Sequence, residues 1–186
     1  MMSKRKTTKK YYFSVEGETE KWYLEWLKNK INEVASCKVT MNIEIQKNPL
    51  KMAKKLAITE KTEIWHISDY ESNEQIHVNQ FRETIDNMKK AMHIGKKIQY
   101  KFGYSNFTFD LWIILHKIDC YGAFTHRRNY IHLLNQAYNE SFENMDQYKH
   151  EDNFKRCLNI LSIEDVKSAI KRAHAIMKNN ILNGYS

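Results

Sequence analysis

Two groups of carboxylates each follow a strand-like run. The first is Val15-Glu16-Gly17-Glu18-Thr19-Glu20, after Tyr11-Tyr12-Phe13-Ser14. The second is Ile67-Ser68-Asp69-Tyr70-Glu71, after Thr62-Glu63-Ile64-Trp65-His66. Carboxylates at the carboxyl ends of neighbouring parallel strands can hold hydrated Mg²⁺, and Mg²⁺ serves phosphodiester chemistry. If a helix begins near Gly17, Glu16 and Glu20 lie four apart on one face. Converging carboxylates repel unless a cation bridges them. The plain alternative is an acidic helix start favoured by the macrodipole. Asp69 and Glu71 stand one residue apart, so an extended backbone sends both to the same side; the plain alternative is a solvated acidic loop. The third segment runs from Ser105-Asn106-Phe107-Thr108-Phe109-Asp110 through Leu111-Trp112-Ile113-Ile114-Leu115-His116. Asp110 lies near the start of an otherwise apolar helix, and a buried acid needs a partner. A metal would be one and backbone capping another. Trp112 to Leu115 read as core, and His116 as a satisfied core or edge histidine.

The elements that must position these acids are legible from periodicity. Residues 10–15, 39–45, 62–68 and 96–102 read as strands. Residues 18–35, 50–59 and 76–92 read as helices, with Trp22, Tyr23, Trp26, Leu27, Ile31 and Val34 on the inner face of the first. Leu50, Ala53, Leu56 and Ala57 line the second, and Ile76, Phe81, Ile85 and Met88 the third. Thr19 or Gly17 starts the first helix. Strands alternating with helices imply parallel pairing through right-handed crossovers. The expected fold is therefore α/β, a sheet of about four mainly parallel strands flanked by helices. After it the chain becomes helical over Phe107–Ile118, 127–140, 150–161 and 163–181. The expected organisation is a basic tail over 1–9 and a single domain over 10–186, with an α/β part to about 104 and a helical part over about 105–182.

The bulk numbers bound the class. The chain has 186 residues, 42% of them apolar, one proline and five glycines, which excludes wholesale disorder and favours regular elements. The formal net charge is +8, which suits a polyanionic partner. Much of that excess sits in Lys4-Arg5-Lys6 and Lys9-Lys10, which a solvated arm would also explain. Cys37, Cys120 and Cys157 form neither a zinc motif nor a disulfide framework. No apolar run is long enough to span a bilayer and no signal-peptide core is seen, so the expectation is a cytoplasmic protein without a membrane partner.

Together, Val15-Glu16-Gly17-Glu18-Thr19-Glu20-Lys21-Trp22-Tyr23, Asp69-Tyr70-Glu71, the Ser105–Trp112 segment with His116, and the stretch from Tyr148-Lys149 to Ala173 resemble the RloB family. The likeness runs from about residue 10 to 180. That family belongs to the TOPRIM superfamily, shared by primases, topoisomerases, OLD-type nucleases and small ribosomal-RNA maturases. The resemblance implies a Rossmann-like TOPRIM sheet. It implies Glu16 as the catalytic or metal-binding acid, Glu20 as a second metal contact, Asp69 and Glu71 as metal ligands, and Asp110 as the third acid. A catalytic lysine is found in some relatives, and Lys149 is the candidate for it, against the plain reading of a surface lysine. Three departures stand out. Glu71 replaces the second Asp of an Asp-x-Asp pair, Asp110 replaces a Glu, and Phe107 replaces a Pro. RloB-like proteins resemble the TOPRIM half of two-component phage-defence systems such as AbiL and PARIS, where the partner is an ABC-type ATPase.

The expected function is a Mg²⁺- or Mn²⁺-dependent nuclease acting on DNA or RNA, the effector of an abortive-infection system with an ABC-type ATPase. Catalysis is assigned to Glu16, Asp69 and Lys149, and metal binding to Glu16, Glu20, Asp69, Glu71 and Asp110. A homo-oligomer is compatible with this. The alternatives are a non-catalytic TOPRIM-like module binding nucleic acid or the ATPase, and a ribosomal-RNA maturation nuclease.

Overall fold

The computed structural model describes residues 8–34, 38–120 and 129–182. Lys4, Arg5 and Lys6 of the basic tail, Cys37, and the first two residues of the helix expected over 127–140 lie outside them. The chain divides into two compact units, Met1–Asn106 and Phe107–Ser186.

The first unit alternates strand and helix throughout. β1 (Thr8–Val15), β2 (Lys38–Ile45), β3 (Thr62–Tyr70) and β4 (Ile98–Asn106) are joined by α1 (Glu18–Glu33), α2 (Pro49–Lys55) and α3 (Gln75–Met92). All pairings are parallel, in the order β2-β1-β3-β4. This is the α/β sheet expected from the sequence. The first crossover moves one way from β1, while the next two move the other way. Right-handed crossovers therefore set α1 on one face and α2 with α3 on the opposite face. The carboxyl ends of β1 and β3 flank the point where the direction reverses, which is where open α/β sheets take ligands.

The face under α2 and α3 holds a core of Ala53, Ile64, Met88, Ala91, Ile98 and Tyr100, with Tyr12, Leu50 and Phe102 packed against it. Each large side chain buried there contributes roughly 1.5–3 kcal/mol. α2 is short because both ends are capped. Asn48 accepts from the Lys51 amide at 3.1 Å ahead of Pro49. Lys96 Nζ donates to the carbonyls of Ala53, Lys54 and Leu56 at 2.9, 2.8 and 2.6 Å, closing the helix at Lys55 rather than 59.

Other boundaries also shift. β1 begins at Thr8, so Lys9 and Lys10 are strand residues, and β4 runs on to Asn106. β3 continues to Tyr70, which places Asp69 inside the strand rather than after it. Val34 and Ile76, expected to face inward, are exposed; Val34 caps the C-terminal end of α1 and Ile76 lies in the first turn of α3.

The second unit is helical: α4 (Asp110–Leu115), α5 (Tyr130–Tyr138), α6 (Met145–Lys149), α7 (Glu151–Asn159) and α8 (Ile163–Leu182). Its buried side chains include Ile113, Ile114, Leu134, Tyr148, Phe154 and Leu158. α4 starts at Asp110, not Phe107, and is only six residues long. Arg172 closes it, donating to the carbonyls of Leu115 and His116 at 2.8 and 3.2 Å. α6 was not anticipated; it is a single turn begun by Asn144, whose side chain accepts from the Gln147 amide at 2.9 Å. Among the described residues no helix is long and apolar enough to cross a membrane.

Candidate functional site

A cleft of about 290 Å³ opens at the carboxyl end of the sheet in the first unit. Glu16, Ser68, Asp69 and Glu71 line it from the ends of β1 and β3. Lys47 and Asn48 come from the turn after β2, and His77, Phe81, Glu83 and Asn87 are among those from α3. Four carboxylates thus face one lysine and one histidine.

Glu16 is fixed from the neighbouring strand. Ser68 Oγ donates to Glu16 Oε1 at 2.8 Å, and the Asp69 amide donates to Oε2 at 3.3 Å. The adjacency continues the sheet register, in which Ser14 pairs with His66 two residues before each. Glu71 is turned toward α3, with Oε2 3.2 Å from His77 Nε2. His77 Nδ1 lies 2.7 Å from Ser72 Oγ, which also accepts from the Glu74 amide at 3.1 Å. Glu71, His77 and Ser72 are thereby tied to the start of α3.

Glu20 behaves differently from Glu16. α1 begins at Glu18 with Gly17 as its cap, so Glu16 stands outside the helix and the expected i, i+4 pair does not form. Glu20 is buried, accepts from Thr19 Oγ1 at 3.0 Å, and does not line the cleft. Gly17 packs closely beside it: a Cβ there would stand 3.2 Å from Glu20 Oε2, so the carboxylate would have to shift slightly.

Asp110 and Lys149 belong to the second unit and meet each other. Lys149 Nζ lies 3.0 Å from Asp110 Oδ2, which also accepts from Thr108 Oγ1 at 2.7 Å. Asp110 is fully buried, and its Oδ1 has no hydrogen-bond partner among the described residues. The buried acid foreseen from sequence thus has a lysine and a threonine as partners. Phe107, just upstream, has φ 64°. A proline, locked near φ of about −65°, could not stand there, which gives a backbone reason for that departure. His116 is a core histidine, bonded through Nδ1 to the Trp112 carbonyl at 2.8 Å. Burial pushes its pKa down to about 4. Burial likewise pushes the Cys157 thiol up to about 12, so it is no nucleophile at neutral pH.

Sequence reasoning missed Lys47, His77 and Glu83, which carry no local motif and reach the cleft only through α3 and the β2–α2 turn. It also missed a buried polar pair on the Glu16 side of the sheet. His66 Nδ1 lies 2.7 Å from Ser14 Oγ, and the imidazole stacks on Phe102. Burial drives the pKa of His66 down to about 4, partly offset by its bond with Ser14. The available signal was a serine and a histidine at inward positions of otherwise apolar strands.

Among the described residues no group of three or more His, Cys, Asp or Glu is arranged to hold a metal ion. The donor chemistry still fits a hard, hydrated cation. Mg²⁺ keeps several waters and takes only one or two carboxylates, and Glu16 and Asp69 stand side by side at the cleft.

No curated protein and no solved structure gives a significant match to this chain. Residues 11–184 match the family model described as RloB-like protein, and with nearly the whole chain covered this protein belongs to the RloB-like family.

Proposed function

We propose that the protein is a divalent-metal-dependent nuclease, with its reaction centre in the cleft between the ends of β1 and β3. The observation that carries this is the juxtaposition of Glu16 and Asp69, from different strands, at the topological switch point of a parallel sheet. A phosphodiester cannot approach four carboxylates without a cation to offset their charge, so the electrostatics of the cleft support the metal requirement. Glu16 and Asp69 would hold Mg²⁺ or Mn²⁺, with Glu71 available on release from His77. When bound, the cation supplies charge neutralisation and an activated water. Ser68 and the Asp69 amide orient the Glu16 carboxylate, and Lys47 meets phosphate charge at the rim. Glu20, buried in the first turn of α1, is proposed to support this centre. Membership of the RloB-like family supports a role in phage defence beside an ABC-type ATPase.

Calorimetric titration of Mn²⁺ into the wild type and into Glu16→Ala/Asp69→Ala, followed by cleavage assays on DNA and RNA, tests the proposal. Binding and cleavage are expected in the wild type and absent from the double variant. A folded wild-type protein, supplied with its ATPase, that leaves both nucleic acids intact in Mg²⁺ and Mn²⁺ overturns it.

A second reading is favoured by the lack, among the described residues, of a three-acid cage, and by the engagement of Glu71 with His77. In it the protein is a non-catalytic module that binds nucleic acid or the ATPase. Full biological activity in Glu16→Ala would select it.

A further inference from the structure

Beside the acidic cleft, the sheet carries a connected set of aromatic rings. Tyr70 meets Phe81 edge-on with centroids 5.1 Å apart. Phe81 lies 5.3 Å from Phe102 and 5.3 Å from Tyr104, and Phe102 stacks against Tyr104 at 5.7 Å with 29° between planes. Tyr104 is 63% exposed, and among the described residues every other Phe, Tyr and Trp is buried or half-buried. Its ring is thus held from two sides by Phe102 and Phe81 while most of it faces solvent.

The arrangement follows from the strand. Tyr100, Phe102 and Tyr104 alternate onto one face of β4, the edge strand, and exposure rises toward the carboxyl end. Ser68 pairs with Tyr104 in the β3–β4 register, and Ser68 also bonds Glu16. Glu16, just past the end of β1, therefore stands level with Ser68 on β3 and Tyr104 on β4, which puts Tyr104 about 10 Å from Glu16 at the usual strand spacing. The cluster is continuous with the cleft in two further ways. Phe81 lines the cleft, and Tyr70 sits between Asp69 and Glu71 in the chain.

We infer that Tyr104, supported by Phe102 and Phe81, is a stacking platform for an unpaired nucleobase next to the phosphodiester at the acids. The substrate is then a single-stranded stretch of nucleic acid. A base in a duplex is already stacked on both faces, whereas an unpaired base can lie on a pre-positioned ring. The charge of +8 supplies the attraction for the polyanion, and the ring supplies selection for the unpaired state. The position of the phosphate rests on the nuclease reading above.

The test uses the full chain and fluorescence anisotropy in Ca²⁺, a hard oxygen-seeking cation that offsets the charge of the acids. The probes are one labelled oligonucleotide as single strand, the same single strand with abasic sites, and its duplex. The wild type is expected to bind the base-bearing single strand most tightly. Tyr104→Ala should lose about 5–150-fold for that strand and bind the abasic strand as the wild type does. Tyr104→Phe should retain wild-type affinity, and an unchanged thermal melt for all three proteins reports folding. In Mn²⁺, Tyr104→Ala should raise KM more than it lowers kcat. If the wild type binds or cleaves nucleic acid but ignores base content and Tyr104, this inference falls and the nuclease reading stands. The inference falls in the same way if Tyr104→Ala instead costs the association with a protein partner. If the wild type neither binds nor cleaves any nucleic acid, both fall.

Discussion

Glu16, one residue beyond β1, accepts a 2.8 Å hydrogen bond from Ser68 near the end of β3. The bond crosses the point where the sheet's crossovers reverse direction, and it orients one of the carboxylates that line the cleft. A hydrogen bond to a charged group contributes about 1.5–3 kcal/mol. Under the nuclease reading Ser68→Ala should slow metal-dependent cleavage about 10–100-fold with little change in KM, and Glu16→Gln should be more severe. Single-turnover kinetics on both variants checks this, and wild-type rates in Ser68→Ala would mean that the bond has no part in positioning the carboxylate.

His77 Nε2 lies 3.2 Å from Glu71 Oε2, in the same cleft as Glu16 and Asp69. Replacing His77 by alanine removes a competitor for that carboxylate. Mn²⁺ should then bind about fivefold more tightly, the equivalent of one ordinary hydrogen bond. Calorimetry on His77→Ala reads this directly; weaker binding would instead make the imidazole part of the cation's surroundings.

Lys149 faces a fully buried Asp110 at 3.0 Å. Lys149→Met leaves the Asp110 charge with only the Thr108 hydroxyl, and should cost about 1–3 kcal/mol in urea denaturation. Lys149→Met combined with Asp110→Asn should recover most of it. A variant of unchanged stability but lost cleavage would assign Lys149 to the chemistry rather than to the pair.

His66 and His116 are both lowered to about 4 from an ordinary 6.5. Between those values the unfolded chain binds protons that the native chain does not. Stability therefore rises with pH across this window and is lost as pH falls from 6.5 toward 4, at about 1.4 kcal/mol per pH unit for each histidine. His66→Gln should flatten the slope by one proton in denaturant titrations over that range. An unaltered slope would mean that the imidazole is protonated in the native state.

The sequence by itself determined the α/β architecture, the parallel pairing and the place of Glu16 just past the first strand, whereas Asp69, read as following β3, lies within it. These follow from local periodicity and from the handedness of crossovers, which need no knowledge of distant contacts. It also marked Asp110 as a buried acid in need of a partner, because a charge in an apolar helix is anomalous wherever the helix packs. Tertiary structure alone decided the rest. Whether Glu20 joins Glu16 turned on where α1 starts, a matter of one or two residues: the helix begins at Glu18, which leaves Glu16 outside it. That Glu71 pairs with His77, and Asp110 with Lys149, depends on α3 and α6 being carried to partners distant in the chain or beyond a turn. The level alignment of Glu16, Ser68 and Tyr104 exists only through register across three strands, and no spacing along the chain encodes a register.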